Sequence, residues 1–328
     1  MRILLPLTLA GALCAQAPPA NPAASDEAPT IKVDVSVVSL LASVRDKRGG
    51  LVANLEKNDF TIFEDGKQQE IKYFTRETDL PLTIGLLIDV SGSQRNLIDI
   101  ERSAASQFFS KVMRQKDEAF LISFGEEAEL LQDYTNSARM LSRAMDGLRV
   151  SSGVGGFGPG PVPTAGDPRG TVLYDAIFLA AEEKLRTEVG RKVLVVITDG
   201  VDEGSRKKIE DAIEAAQKAD AVIYSIDYFD PRAYGYGPFG FGGGGGEGYL
   251  RRMSDATGGH VYKVDRGHSL DQVFNELQQE MRSQYSIGYV STNDKRDGSY
   301  RKVDVRMASK DLKAQVRKGY YATRADAQ

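Results

Sequence analysis

The sequence contains few of the side chains that enzymes commonly use as nucleophiles or general bases. In 328 residues there is one cysteine, Cys14, and there are two histidines, His260 and His268. His260 begins a predicted strand and His268 precedes a predicted helix start, so we interpret both as structural. A serine hydrolase needs a base beside its nucleophile, and no His, Lys or Cys is predicted to lie beside a candidate serine. The sequence therefore argues against nucleophilic catalysis.

Basic clusters and long apolar runs are also missing. The 42 Lys and Arg residues are scattered and the net charge is −4, which argues against a nucleic-acid partner. Beyond the N-terminus no apolar run reaches the roughly 20 residues that a membrane span needs, so we predict no span in the mature chain. The segment at 153–158 matches GxGxxG but continues into PGPVP instead of a helix, which excludes a dinucleotide site.

Residues 1–17 have the pattern of a secretory signal peptide. Arg2 precedes the apolar run ILLPLTLAGAL, and the small-residue segment CAQA follows. A lipoprotein signal is the alternative, but Leu13 stands where a small residue is needed before Cys14. We therefore predict a secreted or periplasmic protein whose mature chain lacks cysteine, with a Pro/Ala-rich linker at 18–30.

Three further regions differ in their hydrophobic pattern. Residues 31–80 and 284–324 are rich in β-branched residues without helical periodicity, with an Asp65-Gly66 hairpin signal in the first and three predicted strands in the second. Neither has enough strands to be stable alone. We predict that they pair into one all-β sandwich domain, which the region between them interrupts.

Residues 81–283 predict an α/β domain with a doubly wound, mostly parallel sheet. Short unbroken apolar runs, typical of strands buried on both faces, alternate with helical patterns; the runs are TIGLLID, AFLISFG, KVLVVITD, AVIYSID and GHVYKV. The last helix is predicted to begin at Ser269, with Gln272 completing a capping box.

Oxygen-bearing side chains follow two of these strands. Asp89, Ser91 and Ser93 end the first run, Asp199 ends KVLVVITD, and Thr171 stands at the start of the intervening helix. The carboxyl ends of parallel strands share one edge of a sheet, so we expect these five residues to converge. Hydroxyl and carboxylate oxygens are ligands for Mg²⁺, which takes about six oxygens and keeps several waters; Mn²⁺ and Ca²⁺ are the alternatives. Mostly neutral direct ligands would leave the ion attractive to an incoming carboxylate.

Other interpretations of these residues remain open from the sequence. Asp89 could instead cap the following helix, and Thr164, in the same loop as Thr171, could be the threonine ligand. We interpret Asp175 as a structural hydrogen-bonding residue in the first turn of its helix. Asp202, close behind Asp199, is expected to be solvated.

Two glycine-rich segments rise from the same predicted edge. Residues 153–170 hold 7 and residues 235–248 hold 9 of the 33 glycines. One interpretation is that both are insertions without function. The other is that their aromatic side chains contact a ligand around the ion, because exposed aromatics are costly unless covered; the candidates are Phe157, Tyr236, Phe239 and Phe241.

The segment DVSGS at 89–93, Thr171 in GTVLYDAI and Asp199 in ITDG together resemble the metal-ion-dependent adhesion site of von Willebrand factor type A domains. The flanking segments EDGKQQEI, QYSIGYV and RKGYYA resemble a bacterial secreted group of such proteins. The resemblance implies cell adhesion or another protein interaction through the metal, without a reaction. A metal-dependent hydrolase, or a scaffold subunit with a structural metal, are the alternatives.

Overall fold

The computed structural model describes residues 37–77, 80–150, 170–229 and 246–322. The predicted signal peptide and linker lie outside these residues. So do the loop aromatics Phe157, Tyr236, Phe239 and Phe241, together with Thr164.

The described residues form strands at both ends of the chain and alternating strands and helices between them. The strands are β1 (Val37–Asp46), β2 (Phe60–Glu64), β3 (Lys67–Gln69), β4 (Ile71–Glu77), β5 (Leu82–Asp89), β6 (Glu118–Phe124), β7 (Ala128–Thr135), β8 (Arg191–Thr198), β9 (Ala221–Asp227), β10 (Val261–Lys263), β11 (Gln284–Val290), β12 (Tyr300–Met307), β13 (Leu312–Gln315) and β14 (Gly319–Tyr321). The helices are α1 (Ile98–Val112), α2 (Ala138–Met145), α3 (Leu173–Leu179, continued by a π-helical turn at Ala180–Leu185), α4 (Ile209–Lys218), α5 (Glu247–Thr257) and α6 (Leu270–Arg282).

The central sheet has six strands in the order β10-β9-β8-β5-β6-β7. All neighbours are parallel except β6 and β7. Every residue of β5 and β8 is buried, because α1, α2 and α6 cover one face and α3, α4 and α5 cover the other. This two-sided burial explains the unbroken apolar runs and confirms the predicted doubly wound fold.

A β-sandwich is built from both ends of the chain. One sheet has the order β13-β1-β11-β4 and the other β14-β12-β2-β3. In the first, β1 and β11 pair antiparallel from Val37 opposite Val290 to Ala42 opposite Tyr285. The two sheets enclose a separate core that includes Leu40, Ile62 and Ile287, all fully buried. The predicted flanking all-β part of the fold is thus confirmed.

Two predictions from the sequence concern individual strands of the sandwich. Asp65 and Gly66 adopt φ values of 47° and 81° and connect β2 to β3, which confirms the hairpin. The prediction of three strands after Ser283 is wrong, because LKAQVRKGYY contains two strands that join different sheets. β13 pairs with β1, and β14 pairs with β12.

Two buried glutamates form hydrogen bonds within the sandwich and between the sandwich and the α/β domain. Inside the sandwich, Glu64 accepts hydrogen bonds from the hydroxyls of Tyr289 (2.8 Å) and Tyr320 (2.8 Å). On α6, Glu280 accepts from Ser43 Oγ (2.7 Å) and pairs with Arg45, both on β1. The α/β domain and the sandwich are therefore joined through a fully buried carboxylate.

Within the described residues, no helix combines the length and apolarity needed to cross a membrane.

Candidate metal centre

Asp89 and Asp199 lie at the carboxyl ends of two neighbouring parallel strands. Asp89 is the last residue of β5, and Asp199 follows the last residue of β8. The strands are in register from Leu82 opposite Arg191 to Ile88 opposite Ile197, so the two acids reach the same edge of the sheet. Asp89 is fully buried and Asp199 is 6% exposed.

The carboxylate of Asp89 is held at both oxygens. Thr198 Oγ1 donates to Oδ2 (2.6 Å) and the backbone N–H of Ser91 donates to Oδ1 (2.9 Å). Burial raises the pKa of Asp89 to about 7, against the lowering effect of these hydrogen bonds, and the charge of Asp199 adds a smaller increase. A nearby cation favours the ionised form of such an acid, so this carboxyl is suited to a positively charged neighbour.

The two serines and Asp199 form a continuous row of oxygens. Ser91 Oγ lies 3.0 Å from Ser93 Oγ, and Ser93 Oγ donates to Asp199 Oδ2 (2.8 Å). Both serines are partly exposed. One hydroxyl therefore separates Ser91 from Asp199, a span that a single hydrated ion can bridge.

The turn that carries the serines is separate from the helix that follows it. A 3₁₀ turn at Gly92–Gln94 leaves β5, and α1 begins only at Ile98 with Leu97 at its N-cap position. The alternative that Asp89 caps this helix is wrong, because its carboxylate accepts from Ser91 and Thr198 instead.

Thr171 lies between the end of β6 and the loop after Asp199. Its carbonyl oxygen accepts from the N–H groups of Glu203 and Gly204 (both 3.1 Å), and Val172 N donates to Gly125 O (2.9 Å). Gly125 follows Phe124, which is paired with Asp89 across β5 and β6. Thr171 is thus at the same sheet edge as the serines, and its role as a ligand remains a proposal.

Two neighbouring acids have structural roles. Asp175 accepts from the N–H groups of Arg206 (3.0 Å) and Lys207 (2.8 Å), in keeping with the structural interpretation. Asp202 was expected to be solvated, and this is wrong. Its carboxylate accepts from Tyr174 N (3.1 Å) and Ser205 Oγ (2.6 Å), because the first N–H groups of α3 need acceptors that the helix cannot supply.

The end of the second glycine-rich segment packs directly on the Asp199 loop. Gly200 has a φ of +80°, and a Cβ built on it would lie 2.7 Å from the carbonyl oxygen of Gly246. A Cβ on Gly246 would lie 1.9 Å from the carbonyl oxygen of Asp199. Only glycine fits at both positions, so part of the glycine richness serves close backbone packing beside the site.

Sequence reasoning missed three residues around the site. Thr198 orients Asp89, and Gln94 is fully buried directly after Ser93. Glu101 on α1 is also fully buried, and both of its carboxylate oxygens lack a hydrogen-bond partner among the described residues. A charged residue within the apolar stripe of α1 was the one available signal for Glu101.

The donor set fits a hard divalent cation. It consists of two carboxylates and serine hydroxyls, all oxygen, which suit Mg²⁺, Mn²⁺ or Ca²⁺ better than soft metals. Among the described residues no three His, Cys, Asp or Glu side chains group as a metal site. A cation at this edge would therefore depend on hydroxyls and water as well as on the two acids.

The fold and this edge define an α/β domain with an oxygen-lined site at the end of its parallel strands. Residues 84–201 match the family model described as the von Willebrand factor type A domain. The match to this region confirms the resemblance identified from the sequence.

Solved structures similar to this chain include two from bacteria and one from a mussel. An aerotolerance-related membrane protein of Bacteroides fragilis is 15% identical, with 61% of this chain and 98% of that chain covered and a TM-score of 0.42. BatB of Bacteroides thetaiotaomicron is 16% identical, with coverage of 61% and 97% and a TM-score of 0.40. Proximal thread matrix protein 1 of the mussel byssus, with a zinc-occupied MIDAS motif, is 15% identical, with coverage of 66% and 49% and a TM-score of 0.44. No curated protein matches the sequence.

Proposed function

We propose that the protein is a metal-dependent protein-binding module that captures a carboxylate of its partner at the edge formed by Asp89, Ser91, Ser93 and Asp199. The observation that carries this proposal is the row of oxygens from Ser91 through Ser93 to Asp199, partly open to solvent. Von Willebrand factor type A domains commonly mediate metal-dependent protein interactions, which supports the same reading.

Ser91, Ser93 and Thr171 would hold the ion through neutral hydroxyls, while Asp89 and Asp199 would hold it through water. When bound, a Mg²⁺-type ion supplies a coordination position that an outside carboxylate can fill. Three neutral direct donors leave most of the positive charge uncompensated in the direct shell. The partner's acidic side chain is therefore attracted to that position.

We propose no catalytic role for the serines. Ser93 Oγ donates to a carboxylate that already accepts from Val201 N (3.1 Å). The two histidines are engaged elsewhere: His260 packs edge-on against Tyr262, and His268 Nε2 lies 2.9 Å from Glu276 on α6. The hydrolase alternative thus has no supporting observation at this site.

The pattern of residues 1–17 supports an extracytoplasmic location, either secreted or periplasmic. The partner would then be a protein encountered outside the cytoplasm, as expected for an adhesion or interaction module.

The first test measures Mg²⁺ binding by titration calorimetry after removal of metal with a chelator. We expect the wild-type protein to bind one Mg²⁺. Ser93→Ala and Asp199→Asn should each lower the Mg²⁺ affinity by about tenfold or more. Ser103→Ala, at an exposed position of α1, is the control and should bind as wild type does. Equal affinity in all four proteins would refute the assignment.

A second test measures carboxylate capture with an Asp-containing peptide as the probe. Binding should require Mg²⁺, disappear with chelator and be absent in Asp199→Asn. Peptide binding that is unaffected by chelator would favour a scaffold with a structural metal.

A further inference from the structure

Gln94 connects the metal-site turn to the end of another strand. It directly follows Ser93, its side chain is fully buried, and its backbone N–H donates to Ser91 O (3.0 Å). Its side-chain Nε2 donates to the carbonyl oxygen of Tyr228 (3.2 Å), one residue beyond β9. A single residue therefore contacts both the turn that carries the serines and the start of the segment that follows β9.

These contacts close a ring of hydrogen bonds around the candidate site. From Gln94 the ring passes to Tyr228, whose N–H donates to Thr198 O (3.1 Å). Thr198 Oγ1 donates to Asp89 Oδ2 (2.6 Å), and Asp89 Oδ1 accepts from Ser91 N (2.9 Å). The hydrogen bond from Gln94 N to Ser91 O completes the ring, which joins the ends of β5, β8 and β9.

A glutamine is an unfavourable choice at this position for packing alone. Its Oε1 is buried and has no hydrogen-bond partner among the described residues, and an unsatisfied buried acceptor costs about 1–3 kcal/mol. An apolar side chain of the same size would avoid that cost. The amide therefore contributes through the hydrogen bond that Nε2 makes to Tyr228 O, in a buried setting where such a bond is electrostatically strong.

We infer that Gln94 is a positioning residue that couples the end of β9 to the metal-site turn. A displacement of the chain after Tyr228 then alters the position of Ser91 and Ser93, and metal binding in turn restrains Tyr228. The effect is reciprocal because a coupling free energy acts equally on both sites. This inference rests on the proposed function and adds to it a route by which a displacement of Tyr228 changes metal affinity.

The test compares two substitutions that remove the same kind of hydrogen bond. Gln94→Met removes the bond to Tyr228 O while nearly keeping the side-chain volume. Gln217→Met is the matched control, because Gln217 is 5% exposed and its Nε2 donates to a backbone carbonyl, that of Ala256 (2.9 Å). Gln217 lines a cavity beside Gly190 and Arg191, at the start of β8, whereas the metal edge is at its end.

We expect Gln94→Met to weaken Mg²⁺ binding by about tenfold, as is typical when a residue supporting metal ligands is replaced. Gln217→Met should bind Mg²⁺ with wild-type affinity. This difference in affinity should persist even if both substitutions lower the melting temperature in chelator by the same amount. A role of Gln94 in stability alone would leave both Mg²⁺ affinities unchanged, and this result would overturn the inference.

A fluorescence reporter tests the coupling without removing the glutamine. The sequence has no tryptophan, so Tyr228→Trp introduces a single reporter while the backbone groups that bond to Gln94 and Thr198 are kept. Mg²⁺ should shift its emission with the same midpoint as Mg²⁺ binding, and the shift should vanish when Gln94→Met is added. If Mg²⁺ binds and the reporter does not respond, the inference is overturned. This outcome can be read even if the Gln94→Met variant does not fold.

The two proposals fail in distinguishable ways. Wild-type protein that binds no Mg²⁺ would refute the proposed function and, with it, the inference. Wild-type protein that binds Mg²⁺, with Gln94→Met binding equally well, would refute only the role of Gln94.

Discussion

At the scale of single residues, the candidate metal edge contains two acids that water does not reach. Asp89 and Glu101 are both fully buried, and the charge of Asp89 adds to the effect of burial in raising the pKa of Glu101. Burial of unpaired charge is costly. Under the proposed function, a bound cation would offset this cost, so the metal-free protein should be the less stable form.

The burial of Glu101 predicts that the stability of the folded protein depends on pH. Burial, followed by the charge of Asp89, raises the pKa of Glu101 well above its ordinary value. The folded state then holds the proton more tightly than the unfolded state does, so this contribution to stability is present below the unfolded pKa and is lost as pH rises through the folded pKa. In chelator, Glu101→Gln should match wild type at pH 4 and be more stable at pH 8, by about 1–3 kcal/mol.

Urea unfolding at the two pH values measures this difference. Glu129→Gln, at an exposed position of β7, is the control and should show no such change between pH 4 and pH 8. A Glu101→Gln variant that is less stable than wild type at pH 8 would mean that the carboxylate has a partner.

At the scale of elements, α6 shows how a local sequence signal sets a boundary. Ser269 Oγ accepts from Gln272 N (3.4 Å), and Gln272 Oε1 accepts from Ser269 N (2.8 Å). This confirms the capping box that the sequence predicts. The helix then buries an apolar face against the central sheet and α1, and it ends two residues before β11 enters the sandwich.

Removal of this cap should destabilise the protein by about 1 kcal/mol. We expect Ser269→Ala to lower the midpoint of urea unfolding without a change in slope. Ser103→Ala, within the exposed face of α1, should raise stability slightly because alanine is the better helix former. A Ser269→Ala variant as stable as wild type would show that tertiary packing alone fixes the start of α6.

Elements also show which features a sequence can predict. The five parallel strands were predicted from their apolar runs. Burial on both faces explains these runs in β5, β6, β8 and β9, whereas only the middle residue of β10 is buried. β7 was missed, since an edge strand exposed to solvent has no such pattern. The candidate ligands were predicted from their place after strands. Thr198, Gln94 and Glu101 were not, because their roles depend on contacts between segments 100 or more residues apart or on helical geometry.

At the scale of the whole molecule, the α/β domain interrupts a sandwich whose strands lie on either side of it in the sequence. We predict that a chain of residues 81–283 folds alone and that residues 284–328 alone do not. The first retains both helical layers and the whole candidate metal edge, but Glu280 loses its partners Ser43 and Arg45. It should therefore bind Mg²⁺ as the full chain does and melt at a lower temperature.

Circular dichroism and calorimetry of the two fragments provide the measurement. Full-length protein treated in parallel is the reference for Mg²⁺ affinity. Cooperative unfolding of residues 284–328 by themselves would contradict the prediction, since the pairing of β11 with β1 and β4 would then be dispensable.

The pairing of β1 with β11 has a consequence for the order of folding. Val37 pairs with Val290, 253 positions later in the chain. β1, whose partners are β11 and β13, must therefore remain unpaired until nearly the whole polypeptide has been synthesised. Prior folding of the α/β domain brings Leu80 and Met281 near each other, because the carbonyl oxygens of both accept hydrogen bonds from Arg191, and this shortens the effective loop that must close. The α/β domain would thus serve as the template on which the sandwich that supports it is assembled last.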